Sequence, residues 1–199
     1  MSQAANYLNE VGMLNRTPRS GFAFLGTGQQ SVSEHIARML HIAFLLARQT
    51  ASKVDELRLL HLVLFHDLPE ARTGDQNYVN HKYVRADLDK VLEEGAHEWP
   101  FGQEIAGYIR EFEERVTPES ILANDADQLE LLASLKEQMD LGNPHVQDWI
   151  PPLLARLKTD VAQKLAQEIL ATPWDEWWFS DKEDPHWVHH GRGEAASVE

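Results

Sequence analysis

The sequence predicts an all-α fold of about six or seven helices. Apolar residues recur at three- and four-residue spacing through most of the chain, the period of a helix face. No run alternates at period two with β-branched enrichment, as a half-buried strand would. Glycine and proline punctuate the periodic stretches, at Gly102, Pro118 and Gly142-Asn143-Pro144 among others.

Residues 3–14 read as a short amphipathic helix, with Leu8, Val11 and Met13 or Leu14 on one face. Residues 15–31 hold Pro18, Gly21, Gly26, Gly28 and two arginines, Arg16 and Arg19, and read as a loop. Ser31 or Ser33 then caps a helix running to about Gln49, with Glu34 in the first turn, where the helix dipole favours an acid. Its apolar stripe runs through Val32, His35 or Ile36, Met39, Ile42 or Ala43, and Leu46, so His35 points inward. A second helix is expected over about 53–66, with Leu59, Leu62, Val63 and His66 on its buried face and Pro69 limiting its extension. Further helices are expected over about 79–95, 102–115, 118–141 and 145–171.

Residues 1–172 form one domain, since 199 residues suffice for a sizeable single core. Residues 173–199 read as a tryptophan-rich extension containing Trp174, Trp177, Trp178 and Trp187. Four tryptophans there imply that 173–188 pack on the domain or on a partner subunit, with the last residues, including His189 and His190, a disordered tail.

Composition narrows the function. The net charge of −14 repels polyanions, which argues against a nucleic-acid polymer as partner but leaves a small anionic substrate open. No apolar run is long enough to span a membrane, and no signal pattern opens the chain, so a cytoplasmic location is expected. With no cysteine there are no disulfides and no thiolate metal sites. Any metal must be held by histidine and carboxylates.

The stretch Val63-Leu-Phe-His66-Asp67-Leu-Pro-Glu70-Ala-Arg-Thr-Gly74-Asp75 concentrates such groups. Adjacent His66 and Asp67 end an apolar stripe, where polar groups without a partner are costly. One neutral nitrogen and one anionic oxygen suit borderline and hard divalent ions. Glu70 is one helical turn beyond the pair. A lone buried histidine is ordinarily satisfied by a carbonyl or carboxylate. His35 sits in the helix before His66-Asp67, and consecutive elements usually pack together, so the metal reading gains weight. A fourth ligand must come from elsewhere, and the run Asn124-Asp125-Ala-Asp127-Gln-Leu-Glu130 offers two. Asp125 aligns with Leu122, Leu129 and Leu132, Asp127 with Leu131 and Leu135, and periodicity does not choose between them.

His35, His66-Asp67 and Asp127 together resemble the H…HD…D signature of the HD-domain metal-dependent phosphohydrolases, over roughly residues 10–170. The resemblance implies a helical bundle around one metal, with His35, His66, Asp67 and Asp127 as ligands. Within that superfamily the chain is most similar to the 5′-deoxynucleotidase group, through Leu14-Asn-Arg16-Thr-Pro18-Arg19-Ser-Gly21-Phe22, Ser31-Val-Ser33-Glu34-His35 and His66-Asp67-x-x-Glu70-x-x-x-Gly74-Asp75. It implies that Arg19, or Arg16 in a competing register, binds phosphate. Phe22 would contact the nucleoside where a tryptophan is usual. Glu70 would handle the attacking water, and Asp75 would meet the sugar hydroxyl.

The activity so implied is metal-dependent hydrolysis of deoxynucleoside 5′-monophosphates. The alternatives are an HD-family hydrolase of another phosphate ester or a nucleoside triphosphate, and a non-catalytic nucleotide-binding module. The cofactor is one divalent ion, Mn, Co, Fe, Ni, Zn or Mg, and mixed His and carboxylate ligands fit transition metals better than Mg. One ion is favoured because Glu70 stands where related dinuclear enzymes carry lysine. A homodimer is expected from the resemblance, with the tryptophan cluster as an apolar surface.

Overall fold

A computed structural model describes residues 2–188, and His189 and His190 lie outside the described residues. Seven helices of nine residues or more dominate: α1 (Gln3–Val11), α2 (Val32–Gln49), α3 (Glu56–Phe65), α4 (Leu88–Glu98), α5 (Gly102–Glu114), α6 (Pro118–Asp140) and α7 (Asp160–Ala171). The fold is all-α, as expected, and the described residues contain no strand beyond an isolated bridge between Pro18 and Ser31. No helix among them is long and apolar enough to cross a membrane.

Local chemistry sets the boundaries. Ser31 starts α2 through a capping box: its hydroxyl accepts from the Glu34 N–H while Glu34 Oε2 accepts from the Ser31 N–H at 2.6 Å. Thr117 caps α6, with Pro118 at the first helical position, where its missing N–H is harmless. Three expectations are corrected. The 53–66 helix starts at Glu56, because Asp55 accepts from the Arg58 N–H and caps it there. The helix expected from 79 starts at Leu88: Asn77 Oδ1 accepts from the N–H groups of Val79 and Asn80, an alternative to helix, and Asp87 supplies the cap. The single helix expected over 145–171 divides into a 3-10 turn at Pro144–Asp148, a short helix at Ile150–Leu154, and α7 capped by Thr159. The loop over 15–31 also contains one helical turn, Phe22–Leu25.

Helix α6 is the central element, packed against α2, α3 and α7. One apolar cluster joins Met39, Leu46, Leu59, Leu62, Leu129 and Leu135; a second joins Leu14, Val32, Leu68, Trp99 and Ile109. His35 lies between Val32 of the second cluster and Met39 of the first, and His66 lies between Val63 of the first and Leu68 of the second. The polar residues therefore collect at the seam between two dry cores.

Asp125 is 1% exposed and serves α7. Its carboxylate accepts from the Lys158 N–H at 2.8 Å and from the Thr159 N–H and hydroxyl at 2.9 and 2.6 Å. This anchor explains why the chain breaks before Asp160. Replacing Asp125 with Ala removes three hydrogen bonds to a buried carboxylate and is expected to destabilise the fold by about 2–4 kcal/mol, measured by urea denaturation, with metal binding retained by the folded protein.

Trp178, Phe179 and Trp187 pack on one another, with ring centroids 4.9–6.2 Å apart, rather than into the domain core. Trp177 is 85% exposed. The Trp174 N–H donates to Asp140 Oδ2 at the end of α6 and holds the start of the segment.

Candidate metal centre

The last turn of α3 brings His66 inward, and its Nδ1–H donates to the Val63 carbonyl at 2.8 Å. Beyond Phe65 the chain tightens into i to i+3 bonds, with the Leu68 N–H on Phe65 O and the Glu70 N–H on Asp67 O. Pro69 has no N–H to lose in this turn, which turns Asp67 and Glu70 to the same region as His66. Gly74, at φ +71°, occupies a conformation that burdens any residue with a Cβ. After this turn Asp75 Oδ2 accepts the Ser20 N–H at 2.5 Å.

From α2, His35 is fully buried, and its Nδ1–H donates to Glu130 Oε2 at 2.6 Å. With both Nδ1 atoms donating, both Nε2 atoms carry lone pairs. Those two atoms and an Asp127 carboxylate oxygen all lie within 4.8 Å of one another. Asp67 Oδ2 is 3.1 Å from His66 Nε2 and 3.6 Å from His35 Nε2, and Asp127 Oδ1 is 3.3 Å from His35 Nε2.

His35 Nε2, His66 Nε2 and Asp67 Oδ2 are buried and have no hydrogen-bond partner. Orphaned buried polar atoms are rare in folded proteins, and here three converge. Two imidazoles and two carboxylates form a donor set that fits a divalent ion. The charges of the site agree. Burial opposes ionisation of Asp127, yet the close approach of His35, with Arg19, holds its carboxyl well below the usual range. Burial and Arg19 oppose protonation of His35, but Asp127 and Glu130 push it up to about 9.

Arg19 lies over the cluster. Its guanidinium nitrogens are 3.5 Å from Asp67, 3.8 Å from Asp75 and 3.9 Å from Asp127, all beyond hydrogen-bond range. Its backbone is fixed by the Arg19 N–H on Gln30 O at 2.8 Å. Glu70 Oε2 is buried without a partner. Burial, then the charges of Asp67 and Asp75, push the Glu70 carboxyl up to about 9.

His35, His66, Asp67, Glu70, Asp75, Asp127 and Arg19 thus stand together, and two expected residues do not. Arg16 is exposed, and its side chain donates to the Met13 sulfur. Phe22 lines a separate cleft of about 310 Å³ with Gln30, Glu34 and Arg38, to which none of the metal-donor residues contributes. Another cleft, of about 360 Å³, lies at Arg58 and Tyr108. Cavity volume does not locate the chemistry here; convergent unpaired donors do. Two partners were missed in the sequence, Glu130 and Arg38. The available signal was an acid one turn after Asp127 inside an apolar run.

Residues 11–170 match the family model described as an HD domain. The chain belongs to the HD-domain family. It is 30% identical over 156 residues to a protein of Danio rerio named 5′-deoxynucleotidase HDDC2, covering 72% of this chain and 74% of that one. A Dictyostelium discoideum protein of the same name is 25% identical over 150 residues, covering 69% and 78%. A solved structure from Magnetospirillum magnetotacticum, described as a predicted metal-dependent phosphohydrolase, has a similar fold, with a TM-score of 0.66 at 21% identity over 84% of this chain and 89% of that one.

Proposed function

We propose that the protein hydrolyses nucleoside 5′-monophosphates, preferring the deoxy form, to nucleoside and inorganic phosphate. The observation that carries this is the convergence of unpartnered His35 Nε2, His66 Nε2 and Asp67 Oδ2 beside Asp127, with Glu70 Oε2 and the Arg19 guanidinium at the same place. The names of the relatives at 25–30% identity support the substrate class and the deoxy preference.

His35, His66, Asp67 and Asp127 would hold the ion. A divalent metal held there would polarise the phosphoryl group and ease deprotonation of water. Arg19 presents paired N–H donors to two phosphate oxygens, the planar geometry that suits bidentate binding. Asp75, tied to the Ser20 N–H, keeps the Arg19 loop in place, and its Oδ1 remains for a sugar hydroxyl. Glu70 Oε2 accepts a proton from the attacking water. Water oxygen bonds to phosphorus, the bond to the 5′ oxygen breaks, and that oxygen leaves with the proton Glu70 took from the water. The buried setting keeps other water from the exchange.

The test is a panel of nucleoside mono-, di- and triphosphates with Mn, Co, Fe, Ni, Zn and Mg, scored for orthophosphate, pyrophosphate and tripolyphosphate. Orthophosphate from deoxynucleoside monophosphates is the expected result. Release of pyrophosphate or tripolyphosphate from triphosphates alone would replace this reading with a triphosphohydrolase. Arg19→Ala is expected to lower kcat/KM by about 100-fold, the scale of one lost charge-stabilising donor, with metal still bound. Arg16→Ala should leave kcat/KM within a factor of about three, as is usual for an exposed residue outside the site. Reversed effects would restore the Arg16 register.

A further inference from the structure

Glu130 is fully buried within the apolar run Leu129–Leu132 of α6. A carboxylate there survives only with a complete set of donors. It has one. Oε2 accepts from His35 Nδ1–H at 2.6 Å. Oε1 accepts from Gln30 Nε2 at 2.7 Å, from Arg38 Nε at 2.8 Å and from the Ser134 hydroxyl at 3.2 Å. Arg38 is itself clamped by Glu137 and Ser134. Burial opposes ionisation of Glu130, but His35, Arg38 and Gln30 hold its carboxyl at about 2.

The two histidines of the centre are therefore oriented differently. His66 is held by a neutral carbonyl of its own helix, three residues back. His35 is held by an anion from another helix, 95 residues away in sequence. A carboxylate acceptor on Nδ1 fixes the tautomer, sets the ring angle and raises the basicity of Nε2.

We propose that Glu130, locked by Arg38, is a positioning residue that presents the His35 Nε2 lone pair to the metal. This rests on the metal reading above. Glu130 touches neither the cluster centre nor substrate, so its action is through His35. A role confined to tying α2 to α6 would alter stability but not metal affinity.

The experiment titrates Zn²⁺ into metal-stripped full-length protein against a competing chelator, for wild type, Glu130→Gln, Glu130→Leu and Arg38→Ala. Circular dichroism and thermal melts follow the fold of each. Glu130→Leu is expected to weaken Zn²⁺ binding by about 10- to 100-fold, the usual range for an outer partner of a metal-bound histidine. Glu130→Gln should weaken it less, since its amide oxygen still accepts from Nδ1–H but carries no charge. Arg38→Ala should also weaken it, by loosening Glu130. Long-range proton–nitrogen spectra of the Zn²⁺-loaded protein should show His35 as the Nδ1–H tautomer in wild type and a changed His35 signal in Glu130→Leu. Should Glu130→Leu fail to fold, Glu130→Gln decides. Zn²⁺ affinity equal to wild type in the folded Glu130 variants overturns the positioning role while leaving the metal centre intact. A wild-type protein that binds no Zn²⁺ overturns both.

Discussion

Asp67→Ala is expected to remove metal and activity together. Asp67 Oδ2 lies 3.1 Å from one histidine nitrogen and 3.6 Å from the other, and it is buried without a partner. It also lies 3.5 Å from Arg19. The substitution removes a proposed ligand and an anion from a site that holds a partly buried guanidinium and two imidazoles. Metal content should fall from about one ion per chain to near zero, and phosphate release by about 10⁴-fold or more, the scale for members of a unit that act together. The unaided reaction is too slow to supply a background. Elemental analysis and a phosphate assay on the same sample check this, with circular dichroism confirming the helices. Retained activity in a folded, metal-free variant would remove the metal mechanism.

Glu70→Gln is expected to separate chemistry from metal binding. The side chains are nearly isosteric, and Glu70 is outside the proposed ligand set, so one ion should remain. The buried Oε2 is the acceptor available for the proton of the attacking water. General-base contributions are about 10²- to 10⁴-fold, and kcat should drop by that amount with KM little changed. Without metal, burial and the neighbouring acids hold Glu70 protonated up to about pH 9. A nearby divalent cation favours the carboxylate and lowers that value. The working form is the anion, so activity rises with pH through the pKa of the loaded enzyme. That rising limb should be absent in the Gln variant. A kcat within threefold of wild type would assign the proton to another group.

Much of the scaffold could be read from residue spacing because α2 and α3 each bury one stripe. The Val32, Met39, Leu46 stripe placed His35 inward, and the Leu59, Leu62, Val63 stripe did the same for His66. The centre itself was harder. Helix α6 is buried on several sides, so its apolar pattern does not name one inner face. Asp125 and Asp127 both align with leucines, and only tertiary packing sends the first to anchor the backbone at the start of α7 and turns the second toward His35. The role of Glu130 was not legible because its partners, Gln30, His35 and Arg38, come from more than 90 residues away. Where Phe22 and Arg16 lie could not be read from spacing for another reason. The loop over 15–31 carries no period, and its path is set by the Pro18–Ser31 bridge and by Asp75 on the Ser20 N–H. The helix expected over 145–171 broke because a buried side chain of α6 competes for its backbone donors.

The most direct measurement is a crystal structure of the protein soaked with Mn²⁺ or Co²⁺, with anomalous scattering collected at the metal edge. A single strong peak should appear within bonding distance of His35 Nε2, His66 Nε2 and carboxylate oxygens of Asp67 and Asp127. A map with no peak among those four side chains, under conditions where the enzyme releases phosphate, would contradict the assignment of the metal centre.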